Sequence, residues 1–371
     1  MNDALARDPV FGEVASLLQA RAQVEAGQMP HQVRDVEWLA VTFRTDALDL
    51  ELRSKLAEMR AIVRASAERT LLGVPAFALK PFEPLTPPLL ALRAAHDNAL
   101  ARPKPVRLMG IVNVTPDSFS DGGRYSDTRA AIEHGIALEA QGTHILDIGG
   151  ESTRPGANPV SLEDELARTI PVIAELARRT QCALSIDTTK SAVARAALDA
   201  GATIVNDVSA GRFDPAMLAL VAERRAMFVA MHMQGAPRDM QTEPRYTDVV
   251  LEVHEFLRER AAACLAAGIE KDSIWIDPGI GFGKTLEHNL TLMRRLPELR
   301  SLGLPVLLGV SRKSWIAKIH PPSRDDRQRL GGTAAALAFG VLGGAEILRV
   351  HDVAIMAEAA AVASALDRRG T

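Results

Sequence analysis

From about residue 105 onward, short β-branched runs alternate with longer stretches in which apolar residues recur at helical spacing. Eight runs of strand length stand out: Arg107–Val114, Ile145–Gly149, Ala183–Asp187, Thr203–Val208, Met227–His232, Ser273–Asp277, Pro305–Val310 and Glu346–His351. Between them the spacing predicts helices with sensible ends. Leu286, Leu290 and Met293 form one apolar stripe at i, i+4 and i+7. Asp214-Pro215 offers an N-cap and an N1 proline ahead of Met217, Leu218 and Val221. Gly201 and Gly268 stand where C′ glycines would close two other helices. Strands separated by helices pair in parallel through crossovers, which buries both faces of the sheet. An open, doubly wound sheet satisfies the same pattern. Eight regular units favour closure into an α/β (β/α)8 TIM barrel, which needs about 250 residues.

The first hundred residues break this rhythm. Trp38–Arg44 reads as a strand, Leu52–Arg69 as a helix, Leu72–Lys80 as a strand and Leu85–Asn98 as a helix. Ala101–Pro105 reads as a linker. The expected organisation is a small N-terminal α+β extension over residues 1–100 and a barrel domain over residues 101–371. The extension carries no interpretable motif.

Composition narrows the function classes. The 371 residues are 47% hydrophobic and 24% charged, ordinary for a globular protein. Lys and Arg number 43 against 46 Asp and Glu, so no global charge draws the chain to nucleic acid. Cys182 and Cys264 match no metal or redox spacing and read as buried free thiols in a reducing compartment. The N-terminus places Asp3 and Asp8 where a signal peptide would need basic residues. The longest uncharged stretch, Gly331–Ala345, is too short and glycine-rich to cross a membrane. A cytoplasmic protein with no nucleic-acid or membrane partner is expected.

Barrel enzymes place their chemistry at the C-terminal ends of the strands, and unusual polar residues gather there in seven of the eight units. Strand one runs into Asn113 to Gly123 (NVTPDSFSDGG), and strand two into Asp147 to Gly156 (DIGGESTRPG). Strand three gives Asp187 to Lys190 (DTTK), and strand four gives Asn206-Asp207. Strand six gives Asp277 to Lys284 (DPGIGFGK), strand seven Ser311 to Ser314 (SRKS), and strand eight Arg349 to Asp352 (RVHD). Strand five, ending in Met231 to Gly235, is less polar.

Bottom-up, buried carboxylates at Asp187 and Asp277 could accept from a row of N–H donors, with Asn206 completing the edge. A strand-end Asp also serves as a helix N-cap. That alternative stays open for Asp187; the Pro-Gly after Asp277 argues against it there. Lys313 and Arg349 are cations on neighbouring strand ends, though such residues usually snorkel to water. Gly279, Gly281 and Gly283 lack the dinucleotide fingerprint spacing and read as a close backbone approach to a ligand. Loops Thr115–Tyr125 and Ser152–Pro159, rich in Gly, Pro, Ser and Asp, read either as ordinary turns or as a pair of mobile lids. His134, His254 and His288 read as helix-surface histidines.

In order and spacing, these motifs resemble the signatures of the dihydropteroate synthase family over roughly residues 107–355. The resemblance implies condensation of 6-hydroxymethyl-7,8-dihydropterin pyrophosphate with p-aminobenzoate, through an SN1-like loss of pyrophosphate assisted by Mg²⁺. It implies a pterin site of Asp187, Asn206, Met231, Asp277, Lys313 and Arg349. Phe119, Thr153, Pro155, Phe282, Lys313 and Ser314 would line the p-aminobenzoate pocket. Asn113, Arg154, Arg349 and His351 would meet pyrophosphate, with Asn113 also the metal ligand. A homodimer through the late helices is implied as well. The rivals are a corrinoid-type pterin-binding methyltransferase, which would lack the STRPG, SRKS and RVHD segments, and a silent scaffold barrel, which would have lost Asn113, Asp187, Lys313 or Arg349.

Overall fold

A computed structural model of the chain describes residues 105–114, 123–153, 156–320 and 329–366. The expected extension over residues 1–100 lies outside the described residues, as do Phe119, Arg154 and Pro155 and the greater part of the first lid loop.

The eight expected strands all form: β1 (Arg107–Asn113), β2 (Ile145–Gly149), β3 (Ala183–Asp187), β4 (Ile204–Asp207), β5 (Met227–Met231), β6 (Ile274–Asp277), β7 (Leu307–Leu308) and β8 (Ile347–Val350). Every pairing is parallel, in the order β6-β5-β4-β3-β2-β1-β8-β7. A parallel bridge from Ile276 to Val306 joins β6 to the chain entering β7, so the sheet curls into a barrel. β7 is shorter than its apolar run because Pro305 has no N–H to donate and the chain turns away after Val310.

The helices are α1 (Gly123–Ala140), α2 (Leu162–Arg179), α3 (Ser191–Asp199), α4 (Met217–Arg224), α5 (Val249–Ala266), α6 (Leu286–Arg294), α7 (Ser314–Ile319), α8 (Leu330–Leu342) and α9 (Val353–Leu366). Their ends are written locally. Ser161 caps α2 by accepting from the Asp164 N–H, with acids in the first turn and Arg178 and Arg179 in the last. Asp248 caps α5, and Thr285 with His288 makes a reciprocal capping box on α6. Gly201 and Gly268 take positive φ after α3 and α5, as C′ glycines should. Asp214 departs from expectation: one carboxylate oxygen accepts from the Ala216 N–H, the other from the Ser191 N–H at the start of α3. His254 is a correction. It sits one turn after Val250 on the buried stripe of α5 and is itself buried. Cys264 is buried and Cys182 half-buried, both as free thiols.

Strand alternation divides the core in two. Leu108, Val112, Leu146, Ile148, Leu184, Ile186, Phe228 and Leu348 pack outward into the helix layer. Met109, Ile145, Ile204, Val229, Trp275, Leu307 and Ile347, from seven different strands, form a separate cluster inside the barrel. The Arg107 guanidinium lies 4.6 Å from the Trp275 ring centroid beside this layer. Two residues further along several of these strands, the inward position becomes polar: Asp147, Asn206, Asp277 and Arg349. A dry apolar plug thus underlies a polar mouth.

Candidate active site at the C-terminal mouth of the barrel

Four polar side chains from four strands meet over that plug, Asp147, Asp187 and Asn206 buried and Arg349 half-buried. Arg349 on β8 donates from Nε to Oδ2 of Asp147 at 2.6 Å and from Nη2 to Oδ2 of Asp187 at 2.7 Å. Asn206 on β4 donates from Nδ2 to the same Asp147 oxygen at 3.1 Å. Asp147 is fully buried, and its Oδ1, like Oδ1 of Asp187, is buried without a hydrogen-bond partner. Burial raises the Asp187 carboxyl, Arg349 opposes that shift, and the charges of Asp147, Glu165 and Asp207 add to it. Two acids with unmet acceptor capacity around one guanidinium form a site that lacks donors. The capping alternative for Asp187 falls away: α3 begins after Lys190, and the Asp187 carboxylate faces Arg349.

Asp277 on β6 completes the acidic floor. Its Oδ1 accepts from the Gly279 N–H at 2.7 Å, and burial pushes its carboxyl upward. Contact with protein is by itself a sufficient reason for the glycines after it. All three have positive φ. A Cβ on Gly279 would lie 1.9 Å from the His232 carbonyl oxygen, and one on Gly283 would lie 2.5 Å from that of Gln234. On Gly281 it would crowd the Lys313 side chain at 3.2 Å. The β6 loop is therefore pressed onto the β5 loop and onto Lys313.

Lys313, after β7, holds its Nζ 4.1 Å from the ring centroid of Phe282. Phe282 packs against an apolar wall that includes Met231 and Met233. Under this wall Lys284 is almost fully buried, with Nζ donating to Nδ1 of His232 at 2.9 Å and to the Phe282 carbonyl at 3.0 Å. Burial lowers the Lys284 ammonium to about 7. His232 is held neutral by burial and then by the charges of Lys284 and Arg212, so its Nδ1 can accept.

His351, following β8, pairs with Ser311. The Ser311 Oγ accepts from the His351 backbone N–H at 3.2 Å and lies 3.0 Å from Nδ1. In a neutral ring, a hydroxyl donating to Nδ1 leaves the proton on Nε2 as a donor for an anion. Asn113 is half-buried at the end of β1, Thr153 is half-buried in the second loop, and Ser314 is exposed at the start of α7.

The fold thus joins Asp187 to Arg349 directly and Arg349 to Asn206 through Asp147, and brings Lys313 onto Phe282. The sequence reading gave Asp147 no role, although the Ile145–Asp147 alternation puts it on the inward face. It also missed Lys284 and the ion cluster beneath the second loop. There Lys190 bridges Glu151 and the buried Glu165, Glu151 accepts from the Val160 N–H, and Arg168 donates to the Gly150 carbonyl. Both ends of the Ser152–Pro159 loop are tied by this cluster.

Residues 109–351 match the family described as pterin binding enzyme. A dihydropteroate synthase of Synechocystis is 48% identical over 261 residues, covering 70% of this chain and 90% of that protein. A Xanthomonas albilineans dihydropteroate synthase solved with 4-aminobenzoic acid is 49% identical, with a TM-score of 0.67, covering 71% of this chain and 94% of that one. The same organism's enzyme solved with 7,8-dihydropteroate is 46% identical, with a TM-score of 0.64 over 71% of this chain and 94% of that one. An eight-stranded parallel barrel, an acid-rich mouth around one arginine and likeness at this level agree: the chain belongs to the pterin-binding enzymes and, among them, to the dihydropteroate synthase family.

Proposed function

We propose that this protein condenses 6-hydroxymethyl-7,8-dihydropterin pyrophosphate with p-aminobenzoate, giving 7,8-dihydropteroate and pyrophosphate. The observation that carries this reading is the pair of buried, unpartnered carboxylate oxygens on Asp147 and Asp187 beside Arg349. A pterin edge presents N–H donors in a row, which such acceptors would bind. Asn206 and Asp277 extend the floor, and Met231 gives the flat ring an apolar wall. Arg349 and Lys313 would stabilise the charge that develops as the methylene–oxygen bond breaks and its electron pair leaves with pyrophosphate. The amine of p-aminobenzoate then bonds to the methylene carbon and releases a proton. Phe282, Lys313, Thr153 and Ser314, with Phe119 and Pro155, would receive the aromatic acceptor. Asn113, Arg154, Arg349 and His351 would meet the anion.

Mg²⁺ is the expected cofactor. Asn113 offers one neutral side-chain oxygen, and among the described residues no three His, Cys, Asp or Glu cluster as a dedicated metal site would require. That donor set suits a cation carried chiefly by substrate phosphates and water. So held, it would neutralise charge on the leaving group.

The domain division at about residue 101 is supported by the matched region, which begins at 109. A homodimer is supported by α8 and α9. These helices pack together and leave Phe339, Leu342, Ile355, Val362 and Leu366 exposed, and such apolar surface usually marks an interface. A cytoplasmic enzyme is supported by two free cysteines, which suit a reducing compartment; among the described residues no helix is long and apolar enough to cross a membrane. Incubating the protein with the pterin pyrophosphate, Mg²⁺ and p-aminobenzoate should yield dihydropteroate and equimolar pyrophosphate. No product from substrates that a reference synthase turns over would overturn the assignment.

A further inference from the structure

Arg312 of the SRKS segment has no task in the proposed chemistry, and the structure holds its N–H, its carbonyl and its guanidinium. It adopts φ 56°, the left-handed region that disfavours a side chain bearing Cβ. Its N–H donates to Thr333 Oγ1 at 3.1 Å, and its carbonyl accepts from Arg329 Nη1 at 2.9 Å. Its guanidinium forks onto Asp352, with Nε to Oδ2 at 2.9 Å and Nη2 to Oδ1 at 2.5 Å. Asp352 precedes α9 at the place of an N-cap, yet its carboxylate is turned to Arg312 rather than to the helix N–H groups.

This matters because β7 is two residues long. Past Leu308 no ladder fixes the chain, so the direction in which Lys313 leaves the barrel depends on the reversal at Arg312. That reversal aims Lys313 across Gly281 and over Phe282. A second tie, Ser311 to His351, runs alongside between the same two loops. We propose that the Arg312–Asp352 ion pair is a positioning clamp for Lys313: it joins the β7 and β8 loops and sets the lysine over Phe282 without touching substrate. The role of the clamp in turnover rests on the reaction proposed above; the clamp itself does not.

Two measurements test it. In steady-state kinetics, Asp352→Ala and Arg312→Gly (glycine accepts the positive φ) should lower kcat roughly tenfold to a hundredfold, with both KM values within about threefold. Arg312→Lys, which keeps one charged contact to Asp352, should recover part of the loss. In a Lys313→Ala background the same changes should add less than about twofold, because the clamp acts through the lysine. Full multiplicative losses in that background, or a KM increase at unchanged kcat, would overturn the proposal. The second measurement needs no activity. Reductive ¹³C-methylation, with Lys313 assigned by Lys313→Arg, should give an upfield resonance from the Phe282 ring current. Asp352→Ala should move that resonance toward the value of an exposed lysine, and an unmoved resonance would refute the clamp. A wild-type protein that forms no dihydropteroate yet shows the shift would defeat the proposed reaction and leave the clamp standing.

Discussion

Asp147 shows how much one inward position can decide. Its Oδ2 already accepts from Arg349 and Asn206, while Oδ1 is buried without a partner. Asp147→Asn can keep its amide oxygen in the occupied place and turn a donor toward the vacant one. The fold should survive, and KM for the pterin substrate should rise about tenfold to a hundredfold, the worth of a hydrogen bond to a charged group; an unchanged KM would mean that Oδ1 does not face substrate. Lys313→Ala removes a cation from the same mouth. It should lower kcat by about 100-fold or more with thermal unfolding little changed, and near-wild-type turnover would remove Lys313 from the mechanism. Both acids at strand ends were legible in the sequence as residues out of keeping with a core. Which oxygens stay unpaired was not, because that depends on Arg349, 162 positions from Asp187.

Loops as elements are fixed here by backbone contact more than by side chains. The β6 loop lies so close to the β5 loop that Gly279→Ala would force a Cβ into the His232 carbonyl at positive φ. Urea denaturation should show a loss of about 3 kcal/mol or more, and a loss under about 1 kcal/mol would mean that the loops separate easily. Lys284 ties the same two loops from below. Burial lowers its ammonium to about 7 from an ordinary value of 10.5, so between those limits the unfolded chain binds the extra proton. Its contribution to stability therefore rises with pH across that window and is flat below it. Wild type should gain stability from pH 7 to pH 9 relative to Lys284→Met, and parallel denaturation midpoints would show that burial of the ammonium has no such effect. In the sequence this lysine is only the residue that follows the glycine run. Its burial follows from three glycines that allow the loops to meet, a consequence of φ that residue spacing does not display.

For the whole molecule, the exposed apolar residues of α8 and α9 lead to a test of assembly. Ile355, Val362 and Leu366 follow i, i+7 and i+11 along α9, one stripe that faces away from the barrel. Sedimentation should show a dimer for the full chain and a shift toward monomer for Ile355→Glu. A wild-type monomer at micromolar concentration would overturn the dimer, and an Ile355→Glu variant that stays dimeric would place the interface elsewhere. Composition alone left this open, since small and apolar residues on a late helix serve packing on the barrel equally well. Only the burial of Val353, Met356, Ala360 and Ala363 on the opposite face separates the two uses.

The sequence by itself determined eight alternating strand–helix units and favoured a closed barrel over an open sheet, because period-two and period-3.6 patterns are local and eight parallel units have few ways to bury both faces. It also determined where the chemistry gathers, since polar residues at strand ends have no place in a core. The tertiary structure decided which of those residues act together. Asp147, Asp187, Asn206 and Arg349 come from four strands, and only closure of the sheet brings β8 beside β1 and across from β3 and β4. Hydrogen bonds and burial between strands so far apart in sequence are set by that closure, and no local pattern can encode them.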